Sequence, residues 1–212
     1  MDSTESGRYF VFEGADFSGK STQHSLWVEH LESVGRRVKT IREPGATLLA
    51  ERIREILLHV DEHLEPVSEM YLFTAARSQL RYEIIEPNIT VGVDVVSDRS
   101  WMSSAVYQGY ASGVDTNHVI DVSRNAMGEY FDPDGAVIID VPVEALLSRK
   151  ASDLPYDRFE ARDADFFRRV VEGYRWLANE VEVKLIDGDR TVSEVQADIQ
   201  RYFGSVKGVR RN

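Results

Sequence analysis

The chain has no cysteine, so disulfides and thiolate metal centres are excluded and the compartment is left open, with the cytoplasm as default. It has no apolar run near membrane-spanning length, so no membrane partner is expected. Positive charge is in deficit: 25 Lys and Arg against 36 Asp and Glu give a formal charge of −11. Phosphate backbones select basic faces, which argues against nucleic acid as the main partner; a nucleotide needs only a local basic pocket. There is no internal repeat and no low-complexity segment. At 212 residues with 42% hydrophobic content, one domain with a sizeable core is expected. Residues 1–7 are polar and acidic, unlike a signal peptide, and are read as a flexible lead. Residues 8–204 are read as the single domain and 205–212 as a weakly basic, flexible tail.

What is present begins with Gly14-Ala15-Asp16-Phe17-Ser18-Gly19-Lys20-Ser21, which fits G-x-x-x-x-G-K-[ST]. It follows the apolar run 9–12 and precedes a helical pattern that opens at Lys20, with Thr22 in its first turn. Gly14 and Gly19 let the backbone bend so that successive N–H groups face an anion. The helix adds its unpaired N–H groups and the positive end of its dipole. Lys20 reaches the β- and γ-phosphates and the Ser21 hydroxyl ligates Mg²⁺. This segment alone predicts a nucleoside triphosphate site and says nothing of what is done with the triphosphate.

Short β-branched runs at 9–13, 37–41, 94–97, 136–141 and 183–186 alternate with longer helical patterns. That alternation predicts a central five-stranded parallel sheet with helices on both faces, a three-layer αβα architecture. The near-continuous apolar character of the runs predicts strands buried on both faces. Helices are expected over 20–34 (stripe Leu26, His30, Leu31), 48–60 (stripe Leu49, Ile53, Ile56, Leu57), 67–85 ending at Pro87, 163–181 and 193–203. The loops after the strands, at 14–19, 42–47, 98–100 and 187–190, fall on the edge where such sheets bind ligands.

Polar clusters gather in those loops. Asp16 would repel phosphates unless a metal or an arginine intervenes, which suggests a role in Mg²⁺ organisation or acceptor alignment; a solvated loop side chain is the alternative. Arg42-Glu43-Pro44-Gly45 offers a guanidinium fork for a phosphate, or is a plain turn. Asp98-Arg99 stands where P-loop proteins place a Mg²⁺-linked aspartate, or is an exposed ion pair. Phe73 and Arg77, four apart, share one helix face and suit a flat heterocycle, although an aromatic at that spacing equally suits a core. Tyr107-Gln108-Gly109 could shape a sugar pocket.

Together these segments resemble the thymidylate kinase family, which phosphorylates dTMP with ATP. The resemblance runs in order through 12–22, Arg42–Gly45 with Thr47, 72–77, 98–100, 107–109, 140–144 with Arg149, and 157–160. It implies a P-loop kinase fold with a short lid at about 150–160, a homodimer, and ATP and dTMP as substrates with Mg²⁺. It implies that Gly14 to Thr22, with Asp187 and Gly188 near adenine, bind ATP. It implies that Phe73 stacks on thymine, Arg77 hydrogen-bonds the base, Pro44 lies near the 5-methyl group and Ser104 touches the base. Tyr107, with Gln108 beside it, would press the deoxyribose. Arg42 and Arg99 would lie at the acceptor phosphate, with Asp16 aligning it and Asp98 ordering Mg²⁺ through water.

Three departures from the family pattern stand out. Ala46 replaces a second glycine. Phe17 and Ser18 replace small or basic loop residues, so catalytic charge would come from the lid. That lid holds only Lys150 and Arg158, with Arg149 at its root, against Asp153 and Asp157. A kinase for another deoxynucleotide or a deoxynucleoside, and a P-loop nucleotide sensor with weak transfer, are the competing readings.

Overall fold

The computed structural model describes residues 6–59, 63–150 and 156–208. The apolar run forms β1 (Tyr9–Glu13), and the glycine loop leads into α1 (Lys20–Ser33). There follow β2 (Val38–Arg42), α2 (Leu48–His59) and α3 (Pro66–Leu80), whose N-terminus is capped by the Glu65 carboxylate accepting from Val67 and Ser68 N–H. A π-helical turn at Arg81–Ile85 joins α3 to α4 (Glu86–Thr90). Pro87 therefore does not end this helix. It sits in the first turn of α4, where its missing N–H costs no bond. Next come β3 (Asp94–Asp98) and α5 (Trp101–Ser104), the latter extended by a π-helical stretch at Ala105–Ala111. The chain continues with α6 (Thr116–Met127), β4 (Gly135–Asp140), α7 (Val143–Arg149), α8 (Ala164–Glu180), β5 (Lys184–Asp187) and α9 (Val192–Ser205).

The five strands pair in the order β2-β3-β1-β4-β5, all parallel. Phe12 and Arg42 both lie opposite Asp98, and Asp140 lies opposite Asp187, so the carboxyl ends of the strands share one edge. β1, β3 and β4 carry the buried apolar runs. Burial of all five strands on both faces does not hold. β2 and β5 are edge strands, and most of their residues remain in contact with solvent.

Two helix faces also differ from expectation. On α1 the buried positions are Lys20, Gln23, Trp27 and Leu31, with Leu26 and His30 only half-buried. Trp27 is the larger apolar side chain and docks against Phe10 and Phe203, ring centroids 5.4 and 5.1 Å away. On α2 Ala50, Ile53, Leu57 and Leu58 are buried, whereas Leu49 and Ile56 face solvent. Gly7, at the end of the expected lead, is buried and donates its N–H to the Ile89 carbonyl at 2.8 Å.

Candidate active site

The loop between β1 and α1 has the geometry its glycines allow. Gly14 has φ +139° and Gly19 φ +92°. A Cβ at Gly14 would lie 2.7 Å from the Ile139 carbonyl oxygen, so only glycine fits there. Phe17 also adopts a left-handed conformation, φ +68°. Its ring packs on Phe167 and Tyr156, centroids 6.1 and 6.0 Å away. Lys20 is buried and donates to the Ala15 carbonyl at 3.0 Å. Burial, then the nearby Arg99 charge, pushes the Lys20 ammonium below its ordinary pKa.

Asp16 and Arg99 meet at the centre. The Arg99 guanidinium donates to the Asp16 carboxylate and, through Nη1, to the Gly14 carbonyl at 3.2 Å. Tyr107 donates its hydroxyl to the other Asp16 oxygen at 3.0 Å. Burial opposes ionisation of Asp16, but the Arg99 and Lys20 charges and the Tyr107 bond outweigh it and hold the carboxyl below the usual range. Arg99 stands at φ +74°, a backbone position that a non-glycine residue holds at a cost.

Beside this pair lies a cavity of about 160 Å³ lined by Pro44, Phe73, Arg77, Ser104, Tyr107 and Gln108, among others. Arg99 and Asp16 form part of its wall. Arg77 is buried and pairs with the buried Glu43, Nε to Oε2 2.6 Å. Its Nη2 donates to the Ser100 carbonyl at 3.2 Å and the Ser104 hydroxyl at 3.1 Å. Nη1 is buried with no hydrogen-bond partner among the described residues. Burial raises the Glu43 carboxyl above its ordinary pKa against the pull of Arg77.

The loop after β2 is held differently from the sequence reading. Arg42 turns outward and pairs with Glu51 at 3.1 Å, and the Ala46 N–H donates to the same carboxylate at 2.8 Å. Ala46 takes φ +70°, the conformation a glycine would adopt freely. Arg54, one turn further along α2, lines the cavity instead and donates to the Pro44 carbonyl at 2.9 Å. Desolvation, then the Arg42 charge, lowers the Arg54 pKa, as expected of a cation without a full complement of negative charge.

The Ser21 hydroxyl donates to Asp98 Oδ2 at 3.0 Å, while Asp98 Oδ1 is buried with no partner among the described residues. A hydroxyl and a carboxylate side by side, next to the phosphate loop, suit Mg²⁺, which keeps waters and takes phosphate oxygens. Among the described residues no group of three or more His, Asp or Glu forms a dedicated metal cage.

A thymidylate kinase family profile matches residues 12–199. The thymidylate kinase of Kosmotoga olearia is 38% identical over 197 residues, covering 92% of this chain and 94% of its own. That of Methylobacillus flagellatus is 40% identical over 202 residues, covering 93% and 98%. The chain belongs to the thymidylate kinase family. The crystal structure of the thymidylate kinase from Ehrlichia chaffeensis superposes with a TM-score of 0.75 at 28% identity, covering 93% of this chain and 99% of that one.

The family's lid, read at 150–160, is described only at its two ends; 151–155, with Asp153, lie outside the described residues. At its root, Arg149 donates to the carbonyls of Ser18 at 3.4 Å and Gly188 at 3.3 Å and pairs with Asp189. It therefore ties the phosphate loop to the loop carrying Asp187 and Gly188. Arg158 is placed elsewhere: it pairs with Glu69 and donates to the Leu57 carbonyl at 3.0 Å. Glu69 also accepts from Gln108 at 3.2 Å. Lys150 donates to the Glu160 carbonyl at 2.6 Å and stands 4.6 Å over the Tyr156 ring.

Sequence reasoning did not assign Glu13, Glu43, Glu69, Arg54, Ser103, Asp157 or Glu160. Asp157 and Glu160 line the same cavity as Phe73 and Arg77. The motif segments contained Glu13, Glu43, Asp157 and Glu160, but no spacing named their partners.

Proposed function

We propose that this protein transfers the γ-phosphoryl group of ATP to dTMP, giving dTDP and ADP for dTTP synthesis. The observation that carries the reading is the shared wall. The cavity bearing Phe73, the free Nη1 of Arg77 and Tyr107 ends on Asp16 and Arg99, and those two belong to the rim of the phosphate loop. An acceptor base held at one end thus places its phosphate at the donor loop. Arg77 Nη1 suits a pyrimidine carbonyl, Phe73 an aromatic face and Tyr107 a sugar without a 2′-hydroxyl.

Phosphoryl transfer needs in-line positioning and positive charge more than covalent chemistry. Lys20 and the loop N–H groups hold the donor, with Ser21 and Asp98 placed to hold Mg²⁺. When bound, Mg²⁺ would neutralise phosphate charge. Arg99 and Arg54 supply fixed charge at the acceptor end; for Arg54, whose charge is opposed by burial and then by Arg42, that cost falls when an anion arrives. No general base is required, because the attacking phosphate oxygen is already anionic. Arg149 braces the donor side. Arg158, held by Glu69, supports the acceptor wall in this arrangement.

We also infer a cytoplasmic homodimer. The family resemblance supports the dimer, and exposed Leu49 and Ile56 on α2 and Tyr71 on α3 are apolar surface that a second copy would cover. Light scattering reads the mass directly.

The test of the activity is ADP release with ATP and each of dTMP, dUMP, dCMP, dGMP and thymidine. Preference for dTMP is expected. Comparable turnover of thymidine or a purine nucleotide overturns the assignment in favour of a related kinase; ATP binding without ADP release overturns it in favour of a sensor. Lys20→Ala and Arg99→Ala are each expected to lower kcat/KM by several orders of magnitude, roughly 10³-fold or more, with the fold intact.

A further inference from the structure

Glu13 is a charged residue at the end of a fully buried strand, and the phosphate loop begins one residue later. Its carboxylate is completely enclosed. A buried carboxylate needs donors, and here it has five. Oε1 accepts from the Ser100 N–H at 2.7 Å, the Ser100 hydroxyl at 2.9 Å and the Ser103 N–H at 3.2 Å. Oε2 accepts from the Ser103 hydroxyl at 2.7 Å and the Tyr174 hydroxyl at 2.8 Å. Three elements, β1, α5 and α8, therefore converge on one side chain.

The two hydroxyls face a second charge. Arg99 Nη1 donates to Ser103 Oγ at 3.0 Å and to the Tyr174 oxygen at 3.2 Å, as well as to the Gly14 carbonyl. Each hydroxyl thus gives its proton to Glu13 and turns its lone pairs to Arg99, whose two Nη1 hydrogens are shared among these two oxygens and the Gly14 carbonyl. Direction matters: with its hydrogen drawn toward the carboxylate, each oxygen presents its lone pairs to the guanidinium. Burial, then the Glu13 charge, raises the Tyr174 pKa well above its ordinary value, which keeps the phenol protonated as the arrangement requires.

We propose that Glu13, Ser103 and Tyr174 form a positioning relay that fixes the Arg99 guanidinium against the phosphate loop, so that its remaining N–H groups face the acceptor phosphate. This rests on the reading of the cavity as a monophosphate site. Glu13 and Tyr174 are not part of the cavity lining and act through Arg99; Ser103 is in the cavity wall as well as in the relay, so Tyr174→Phe is the cleaner probe. The left-handed backbone of Arg99 gives the side chain its direction, and the relay removes its freedom to swing toward the exposed edge. Without the relay the guanidinium can follow Asp16 away from the Gly14 carbonyl and lose its register with the acceptor.

Tyr174→Phe removes one oxygen and keeps the buried ring. Ser103→Ala removes the other hydroxyl. The readout is the ratio of thymidine to dTMP dissociation constants by calorimetry, which isolates the phosphate contribution and needs no turnover. Either substitution is expected to shrink that ratio about tenfold, with thymidine affinity and the KM for ATP unchanged, and the pair together more so. In an Arg99→Ala background, Tyr174→Phe is expected to change the ratio less than about twofold, because its target is gone. Equal losses for thymidine and dTMP, or the same tenfold loss with Arg99 already removed, overturn the relay and leave a packing role. Circular dichroism and the thermal midpoint confirm that each variant is folded; Ser103→Thr, which restores a hydroxyl, is expected to recover the Ser103→Ala loss. Wild-type turnover with the nucleotide panel reports separately on the function, since a protein that binds dTMP through Arg99 without phosphorylating it would keep the relay and lose the reading.

Discussion

Arg77 and Glu43 form the most deeply buried ion pair at the acceptor cavity, with side chains 1% and 4% exposed and Nε to Oε2 at 2.6 Å. Removing only the cation isolates an anion in the core. Charge centres about 4 Å apart interact by about 4 kcal/mol at an effective dielectric constant of about 20. Arg77→Met therefore should cost about 3–5 kcal/mol of stability, because the methionine fills the volume but leaves Glu43 unpaired. Arg77 also donates to Ser100 O and Ser104 Oγ, so two further acceptors are orphaned. Glu43→Gln in the same chain removes the stranded charge. The double variant Arg77→Met with Glu43→Gln should recover at least half of the loss, because the amide carries no charge to bury and its NH2 can donate to acceptors that Arg77 leaves behind. Urea unfolding of wild type, both singles and the double measures the cycle. The same proteins assayed with dTMP should show kcat/KM down about tenfold to a hundredfold in every variant lacking Arg77, recovered stability notwithstanding, since the proposed donor to the base is gone. A loss below about 1 kcal/mol for Arg77→Met, or a double variant no more stable than that single, would refute the reasoning, which holds that the pair is retained for recognition at a cost in burial.

Three other expectations follow from the same geometry. The Lys20 pKa is lowered in the free protein, so kcat/KM for ATP should fall on the alkaline side before the ordinary lysine value of 10.5 is reached. The unfolded chain binds more protons over that window, so the contribution of Lys20 to stability rises with pH while activity falls; pH–rate profiles and pH-dependent melts read both, and parallel trends would exclude Lys20 as the cause. Phe17→Gly removes left-handed strain of about 1–2 kcal/mol and a half-buried ring of similar value, so stability should change by less than about 1 kcal/mol. A loss above about 3 kcal/mol in urea melts would make Phe17 a core residue. Asp98→Asn keeps an acceptor for Ser21 but removes the charge beside it, so half-maximal activity should require about tenfold more Mg²⁺; an unchanged Mg²⁺ titration removes Asp98 from the metal site.

Legibility followed sequence distance. The phosphate loop was readable because its chemistry lies within eight consecutive positions, and glycine, lysine and serine each have few other reasons to occur in that order. β1 and β4 were readable from unbroken apolar runs, whereas β3 offers only Val95 and Val96 between polar residues. The edge strands were not separable from them by composition, since Val38 and Leu185 look alike on paper; only the pairing order shows that β2 and β5 have one neighbour each. On α1 the stripe was drawn through Leu26 rather than Trp27 because both are apolar, and the choice is made by Phe10 and Phe203 from distant parts of the chain.

The acids of the site were hidden for a sharper reason. Glu13 and Glu43 stand beside assigned residues and Glu69 lies one turn before Phe73, yet a carboxylate's role is set by its partner, and the partners are Ser103, Tyr174, Arg77 and Arg158. Composition offers many possible pairings, whereas the fold realises a few. The usable signal was negative: Glu13 closes a run of four apolar residues on a strand with both faces covered, a place where an unpaired charge could not be kept. That argument demands a set of buried donors near Glu13 without naming one. By the same logic the sequence points to Arg42 for an anion and passes over Arg54, because spacing does not name Glu51 as the partner of Arg42. Arg42 is exposed and held by Glu51, whereas Arg54 lines the cavity with its charge opposed by burial and then by Arg42, so a phosphate there would relieve it.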